Sequence, residues 1–455
     1  MPRNSTSATK LPKPVVERAG PADRAFLAMD TGEIPQQFGV VLVFGDSAGL
    51  DFACVRRLFA ERIPAVPRLR QRLVHAPFGC GGPIWIDDPQ FDIRNHVRAI
   101  ACREPQDEPA LLNDAMSVIA TRLRRTGPLW AAVLVTGLAD GQAALVFVAH
   151  HALADGVGGL AVLANLVDGR PGTGDSRCPR LAPSTATLAK EASLGRLRAL
   201  RRIAPSWQLL RASMSAGGGL RPPRAPACSL NRQTGPRRGI AVVRAEVARL
   251  QAAAHLHAAT VNDAVLVAVA GALSQVLADR GESLDELKMA VPVSGRRPEN
   301  ESSLGNMVSP MLVPVPASGA IGTRLEQVAT RVRTLRADAT GPAPLALLGW
   351  LFRPLAAVGG YHWYMNHQHR LNTLVSHVRG PAKQVTFGGF PITSAIPIAV
   401  AEGGNVTVYF EVLSYAGTLT ISVIVDPEHF PDLDTITDAL RAELDLIGRL
   451  PLTQD

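Results

Sequence analysis

Ala143-Ala144-Leu145-Val146-Phe147-Val148-Ala149-His150-His151-Ala152-Leu153-Ala154-Asp155-Gly156 runs from an unbroken apolar segment into two histidines and then an Asp-Gly pair. Seven apolar residues without polar alternation predict a strand buried on both faces. Side chains alternate along a strand, so His150 and His151 are expected to point in opposite directions. Adjacent strand histidines converge poorly on one ion, which argues against a metal site. Gly156 permits tight backbone geometry, and Asp155 can cap the helix expected from Gly158 or hold an arginine. A histidine with a pKa near ~6.5 suits general-base work on a substrate hydroxyl. The duller reading, two satisfied core or turn histidines, stays open on these residues alone.

Outward from this stretch, Ala131–Thr136 is a partner strand across the Asp140-Gly141 turn, and Leu160–Val167 a helix. Upstream, Val40–Phe44 reads as a buried strand, Leu50–Ile63 and Leu111–Leu123 as helices, and Trp85-Ile86 and Phe91–Ile100 as extended. Glycines and prolines over residues 169–187 mark a linker, and arginines crowd Lys190–Arg238 against Glu191 alone. Beyond it, Arg244–Leu256, Asn262–Leu277, Ile321–Leu335 and Leu433–Ile447 are expected helices. Met289–Val293, Met311–Val315 and a strand-rich region 372–425 complete the second block. The division predicted is a flexible arm 1–18, a domain 19–175 carrying the histidines, a basic crossover 176–238 and a domain 239–455.

The 455 residues are 47% hydrophobic and 19% charged, close to the ~45–50% apolar share of globular chains. Such a chain buries a large core, which excludes wholesale disorder and disulfide-stapled mini-folds. Net charge is +8, nearly all from arginine. GC-rich coding produces that bias, and no nucleic-acid motif accompanies it. Five scattered cysteines without a Cys-x-x-Cys pair imply a reducing cytoplasm and no zinc ribbon. The polar start lacks an apolar signal core, and no run of ~18 apolar residues is found. A soluble or peripherally bound protein is expected.

Further segments join the histidine stretch in a recognisable order. Pro67-x-Leu69-Arg70, Pro128-Leu129-Trp130, His150-His151-x-x-x-Asp155-Gly156, Asn262-Asp263, Pro292-Val293-Ser294-x-Arg296, Leu304-Gly305-Asn306 and Ser376-His377-Val378-Arg379-Gly380-Pro381 span nearly the whole chain. In this set the sequence resembles the bacterial wax ester synthase/diacylglycerol acyltransferase family, within the chloramphenicol-acetyltransferase-like and condensation-domain superfamily. The HHxxxDG, PLW and ND motifs are intact, whereas His377 replaces the usual asparagine of SNVxGP.

The resemblance implies an α/β (α+β) fold of two such domains, mixed sheets flanked by helices, with an active-site channel between them. It implies that His151 takes the proton from an alcohol that attacks an acyl-CoA thioester, making triacylglycerol from diacylglycerol or wax ester from a long-chain alcohol. His150 would support it. Asp155 would face away from the substrate and pair with an arginine, Arg296 first, then Arg297 or Arg379. Gly156, Asn262 and Asp263 are supporting candidates, the last two also plain helix caps. Pro128, Leu129, Trp130 and Ser376 are substrate-channel candidates, though a tryptophan such as Trp130 is more often core than substrate contact. Acyl-CoA is a co-substrate, and neither cofactor nor metal is expected. The implied location is cytoplasmic, at the inner membrane face or lipid droplets, without nucleic acid.

Three alternatives stand beside this reading. Gly45-Asp46-Ser47-Ala48-Gly49 imitates a hydrolase nucleophile elbow, but too little chain precedes it for that fold. The donor could instead be a carrier-protein thioester, or the chain a catalytically silent lipid-binding or droplet protein. Residues 190–238 suit either a lipid surface or an ordinary crossover helix, and 342–365 either an acyl channel or core.

Overall fold

A computed structural model describes residues 16–169, 182–200, 224–294, 306, 308–338, 356, 358–400 and 404–450. Residues 1–15 of the expected arm, 176–181 and 201–223 of the crossover, and 342–355 of the candidate acyl-channel segment lie outside them. The first half contains α1 (Pro21–Met29), β1 (Gln37–Phe44), α2 (Phe52–Arg62), β2 (Gln71–Val74), β3 (Ile84–Asp87), β4 (Val97–Ala101), α3 (Glu108–Ala120), β5 (Trp130–Thr136), β6 (Ala143–His150), α4 (Gly156–Leu166) and α5 (Thr185–Leu200). The second half contains β7 (Gly239–Glu246), α6 (Val247–Leu256), α7 (Val261–Asp279), β8 (Glu286–Ser294), β9 (Val308–Pro316), α8 (Ile321–Asp338), α9 (Gly360–Asn366), β10 (Thr373–Arg379), β11 (Thr386–Phe387), β12 (Phe390–Ala399), β13 (Val408–Tyr415), β14 (Thr418–Val425) and α10 (Leu433–Gly448).

Two six-stranded sheets form, in the orders β11-β12-β1-β6-β5-β4 and β7-β14-β13-β10-β8-β9. Both are mixed: β4 runs parallel to β5, and β10 parallel to β8 and β13, among antiparallel neighbours. Every residue of β6 is buried. Ala143, Leu145, Phe147 and Ala149 enter one core with α2 and α4, while Ala144, Val146 and Val148 enter another with α3. That two-sided burial explains the missing polar alternation. The second of these cores also takes Ile240, Val242, Tyr409 and Ile424, so it welds the halves together.

The sheet boundary departs from the expected division at 239. Strands β11 and β12 leave the second half and complete the first sheet, β12 pairing with β1 from Phe38↔Ala399 to Phe44↔Ile392. Ile396 and Ile398 feed the α3-side core and Ile392 the α2-side core, so β1 gains a partner and both cores gain apolar cover. Two local expectations also change. The helix expected over Arg244–Leu256 begins only at Val247, because Gly239–Glu246 pairs along β14. A short 3-10 turn at Ile93–Asn95 interrupts the extended segment 91–100.

Helix α7 is, among the described residues, the one helix long and apolar enough to cross a membrane, and 72% of its apolar window is buried inside the protein. It packs instead against β8, β9, α8 and α10 as the central helix of the second half.

Pro128, Leu129 and Trp130, expected as channel residues, are core. The Trp130 ring stacks on Phe59 at 5.6 Å and His96 at 4.7 Å, and its Nε1–H donates to the Leu69 carbonyl at 2.6 Å. An indole with its one donor satisfied is fully spent on packing. Trp130→Ala is expected to cost about 3–5 kcal/mol, read as a lowered urea midpoint with the protein still able to turn over substrate in buffer.

Candidate active site

β6 ends at His150, whose buried ring is fixed on both nitrogens. Nδ1 accepts from the Ala152 amide at 2.8 Å, so Nε2–H donates to Asp30 Oδ2 at 3.1 Å. Asp30, just past α1, also takes Arg122, Arg125 (2.6 Å) and the Gln36 amide (3.2 Å). Burial alone would raise its pKa, but the His150 and Arg125 hydrogen bonds and charges win and hold it well below the usual carboxylate range. His150 is therefore the inner anchor of the turn.

His151 sits in different surroundings. Its amide donates to the Gln36 carbonyl at 2.9 Å, and its carbonyl accepts from Asn306 Nδ2. Asn306 Nδ2 also donates to Asp23 Oδ1 at 2.7 Å, tying the second half to α1 and the histidine turn together. The imidazole lies between Phe26 of α1, stacked at 4.6 Å, and Phe38 of β1 at 4.8 Å. Nδ1 is buried and meets no hydrogen-bond partner. Burial first, then His150, pulls the ring down to about 3, against a weaker opposing pull from Asp155. The imidazole is neutral at physiological pH, and its Nδ1 makes no hydrogen bond within the protein.

Asp155, 2% exposed, caps α4, its Oδ1 accepting from the Gly158 amide at 2.8 Å. The first turn of α4 needs glycine at two places. A Cβ on Gly156 would stand 2.9 Å from Val378 Cγ2, and one on Gly159 2.5 Å from the Phe38 ring. These two contacts set the turn against β10 and against the phenyl that flanks His151.

The other expected residues divide. Ser376 lies on β10 as the parallel-register partner of Glu411 on β13. Arg379 ends the same strand, exposed. His377 is half-buried with Nε2 unpartnered, and burial, then Arg379, lowers it to about 4. Asp263 forms a capping box with Thr260, its Oδ2 accepting the Thr260 amide and hydroxyl, each at 2.8 Å. Asn262 Nδ2 has no partner, and no hydrogen bond among the described residues joins Asn262 or Asp263 to the histidine turn. Arg296 and Arg297 lie outside the described residues. Ser47 of the elbow-like turn donates to the Gly141 carbonyl at 2.6 Å, a loop-to-loop tie. No group of three or more His, Cys, Asp or Glu among the described residues could hold a metal ion.

Sequence reasoning missed Asp30, Phe26 and Phe38, and gave Asn306 no role. The only local signal was Asp30 at the close of a short amphipathic helix rich in apolar residues.

Comparison with known proteins bears on the whole chain. The family described as wax ester synthase/diacylglycerol acyltransferase catalytic domain matches residues 20–265, and that described as WS/DGAT C-terminal domain matches residues 304–448. The probable diacylglycerol O-acyltransferase tgs1 of Mycobacterium tuberculosis H37Rv is 28% identical over 410 residues, 86% of each chain. The wax ester synthase/diacylglycerol acyltransferase of Marinobacter aquaeolei VT8 superposes with a TM-score of 0.66 at 22% identity, covering 95% of this chain and 100% of that one. The first condensation domain of the CDA synthetase gives 0.62 at 16%, covering 96% and 97%. These solved structures share the two-domain fold.

The depressed His151 pKa has a stability consequence. The unfolded ring takes a proton near pH ~6.5 while the folded ring resists until about 3, so stability is full above that upper value and falls as pH drops through the window. From pH 7 to 5 the His151 share is about 1–2 kcal/mol. Urea midpoints at the two pH values should fall less in His151→Gln than in the unaltered protein; an equal fall contradicts the buried neutral ring.

Proposed function

Since the chain belongs to the wax ester synthase/diacylglycerol acyltransferase family, we propose that it moves a long-chain acyl group from acyl-CoA to diacylglycerol, and to long-chain alcohols, with His151 as general base. The neutral imidazole clamped between Phe26 and Phe38, at the turn where Asn306 joins the halves, carries this reading.

In the proposed step His151 takes the acceptor hydroxyl proton as the oxygen attacks the thioester carbonyl. The C–O bond forms, the carbonyl π electrons move to oxygen, and their return breaks the C–S bond. The thiolate recovers the proton from the imidazolium. No resident cofactor or metal enters the step. Asp30 and His150 keep the turn in register, and the Asp155 cap aims α4.

We place the protein at an anionic lipid surface of the cytoplasm, the inner membrane face or a droplet. Phe78, at the tip of the β2–β3 loop, is fully exposed between Pro77 and Gly79. Leu194 and Leu197 of α5 are exposed at 43% and 57%. Arg196 donates to the Gly79 carbonyl at 2.8 Å, and Cys80 and Ile84 pack on Leu188, so loop and helix form one unit. Apolar tips beside Lys190 and Arg196 match an anionic interface better than water.

His151→Ala is expected to lower acceptor-dependent CoA release by about 10²–10⁴-fold. Undiminished release, or equal hydrolysis without acceptor, contradicts the assignment. Phe78→Ser should reduce co-sedimentation with phosphatidylglycerol-containing vesicles several-fold, leaving turnover of a water-soluble short-chain alcohol unchanged. Equal sedimentation removes the loop from the interface.

A further inference from the structure

β13 lies inside its sheet, between β14 and β10. Val408, Phe410 and Val412 point into the helical core of the second half. Tyr409, Leu413 and Tyr415 point the other way, into cores shared with the first half. Alternation puts Glu411 on that second face. Strand β12 of the first sheet runs along it, with the Tyr409 hydroxyl donating to the Ala399 carbonyl at 3.1 Å and the Tyr415 hydroxyl to the Ile392 carbonyl at 2.9 Å. Ser422, register partner of Glu411 on β14, donates to the Pro397 carbonyl at 2.6 Å.

A side chain in mid-sheet, on a face covered by the other half, should be sealed from solvent. Glu411 nevertheless keeps partial exposure, as do Ser376 and Val378 on the neighbouring strand β10. With strands on both sides and helices behind, that exposure lies on the face turned toward the first half. Ser376 is the parallel-register partner of Glu411 on the neighbouring strand. Two residues further along β10, Val378 abuts Gly156 at the end of the histidine turn. The Ser376–Glu411 pair therefore lies on the face of β10 and β13 that the histidine turn borders.

We propose that Ser376 and Glu411 form a polar docking point for the acceptor, recognising an oxygen function carried beside the reacting hydroxyl, and so favour an acylglycerol over a plain long-chain alcohol. The proposal rests on the acyltransfer reading above and names the acceptor class for that site. Tyr409, Leu413 and Val378 make the surroundings largely apolar, where a carboxyl covered by an alkyl chain loses water and gains nothing. A glyceryl oxygen restores a hydrogen bond. Burial pushes Glu411 up to about 7, against the pull of the Ser376 hydroxyl. Near neutrality both forms are present: the acid donates to an ester carbonyl, and the carboxylate accepts from a hydroxyl.

The test uses the full chain with palmitoyl-CoA and two acceptors in parallel, dioleoylglycerol and hexadecanol. Glu411→Leu is expected to lower the ratio of kcat/KM values, dioleoylglycerol over hexadecanol, by about tenfold or more through a raised KM for dioleoylglycerol. Glu411→Gln, which keeps both donor and acceptor, should hold the ratio within a few-fold. Ser376→Ala should shift it in the same direction, and decides the matter if the Leu variant fails to fold. An unchanged ratio, an equal loss for both acceptors, or a Gln variant as impaired as Leu overturns the pair. No transfer to either acceptor by the unaltered protein overturns the underlying reading, and the docking point with it.

Discussion

The surroundings of His151 hang from one buried carboxylate. Asp30 receives His150, Arg122, Arg125 and a backbone amide at a point where the end of α1, the segment after α3 and the end of β6 meet. A buried charge lacking such partners is strongly destabilising, and removing one partner of a buried pair costs about 3–5 kcal/mol. Here the partners come from three stretches, the segment after α3 with both arginines, the end of β6 and the residue before β1, so the ion's demand for hydrogen bonds fixes where those stretches stand. Phe26 reaches His151 only because α1 is held this way. The neutral, desolvated state of the His151 ring is thus tied to an ionic knot beneath it.

Two opposing influences meet at His151. The phenyl rings exclude water and disfavour a charged imidazole, while the Asp155 carboxylate favours one. Desolvation is the larger of these influences, and Asp155 also caps α4. A ring held by stacking keeps its orientation without giving up a nitrogen to a permanent partner. His150 is the reverse case, both nitrogens committed. Adjacent and chemically identical, the two rings differ by surroundings alone: one is committed on both nitrogens, the other leaves Nδ1 unbonded.

Much of this was readable in the chain. The unbroken apolar run before His150 announced a strand buried on both faces, and the ordered motifs announced the family and its two-domain fold. What stayed hidden depends on distant partners. Asp30 meets its histidine 120 residues away, and nothing local distinguishes it from any helix-ending aspartate. The short strand before Val247 was absorbed into helical periodicity, since its pairing with β14 spans most of the second half. Trp130 shows the limit of a motif: its spacing was legible, but whether an indole lines a channel or fills a core depends on Phe59, His96 and the Leu69 carbonyl.

The crossing of β12 into the first sheet bears on how the protein is made. A ribosome that has just added Val385 has already released a first half with all its motifs, yet one flank of β1 is bare, its amides and carbonyls open to any passing strand. Closure waits for residues nearly 400 positions along, and contacts that distant form slowly. Synthesis therefore passes through a sticky interval, and a truncated product that stops short of β12 inherits it permanently. Until β12 arrives, that flank stays an open template for misplaced pairing.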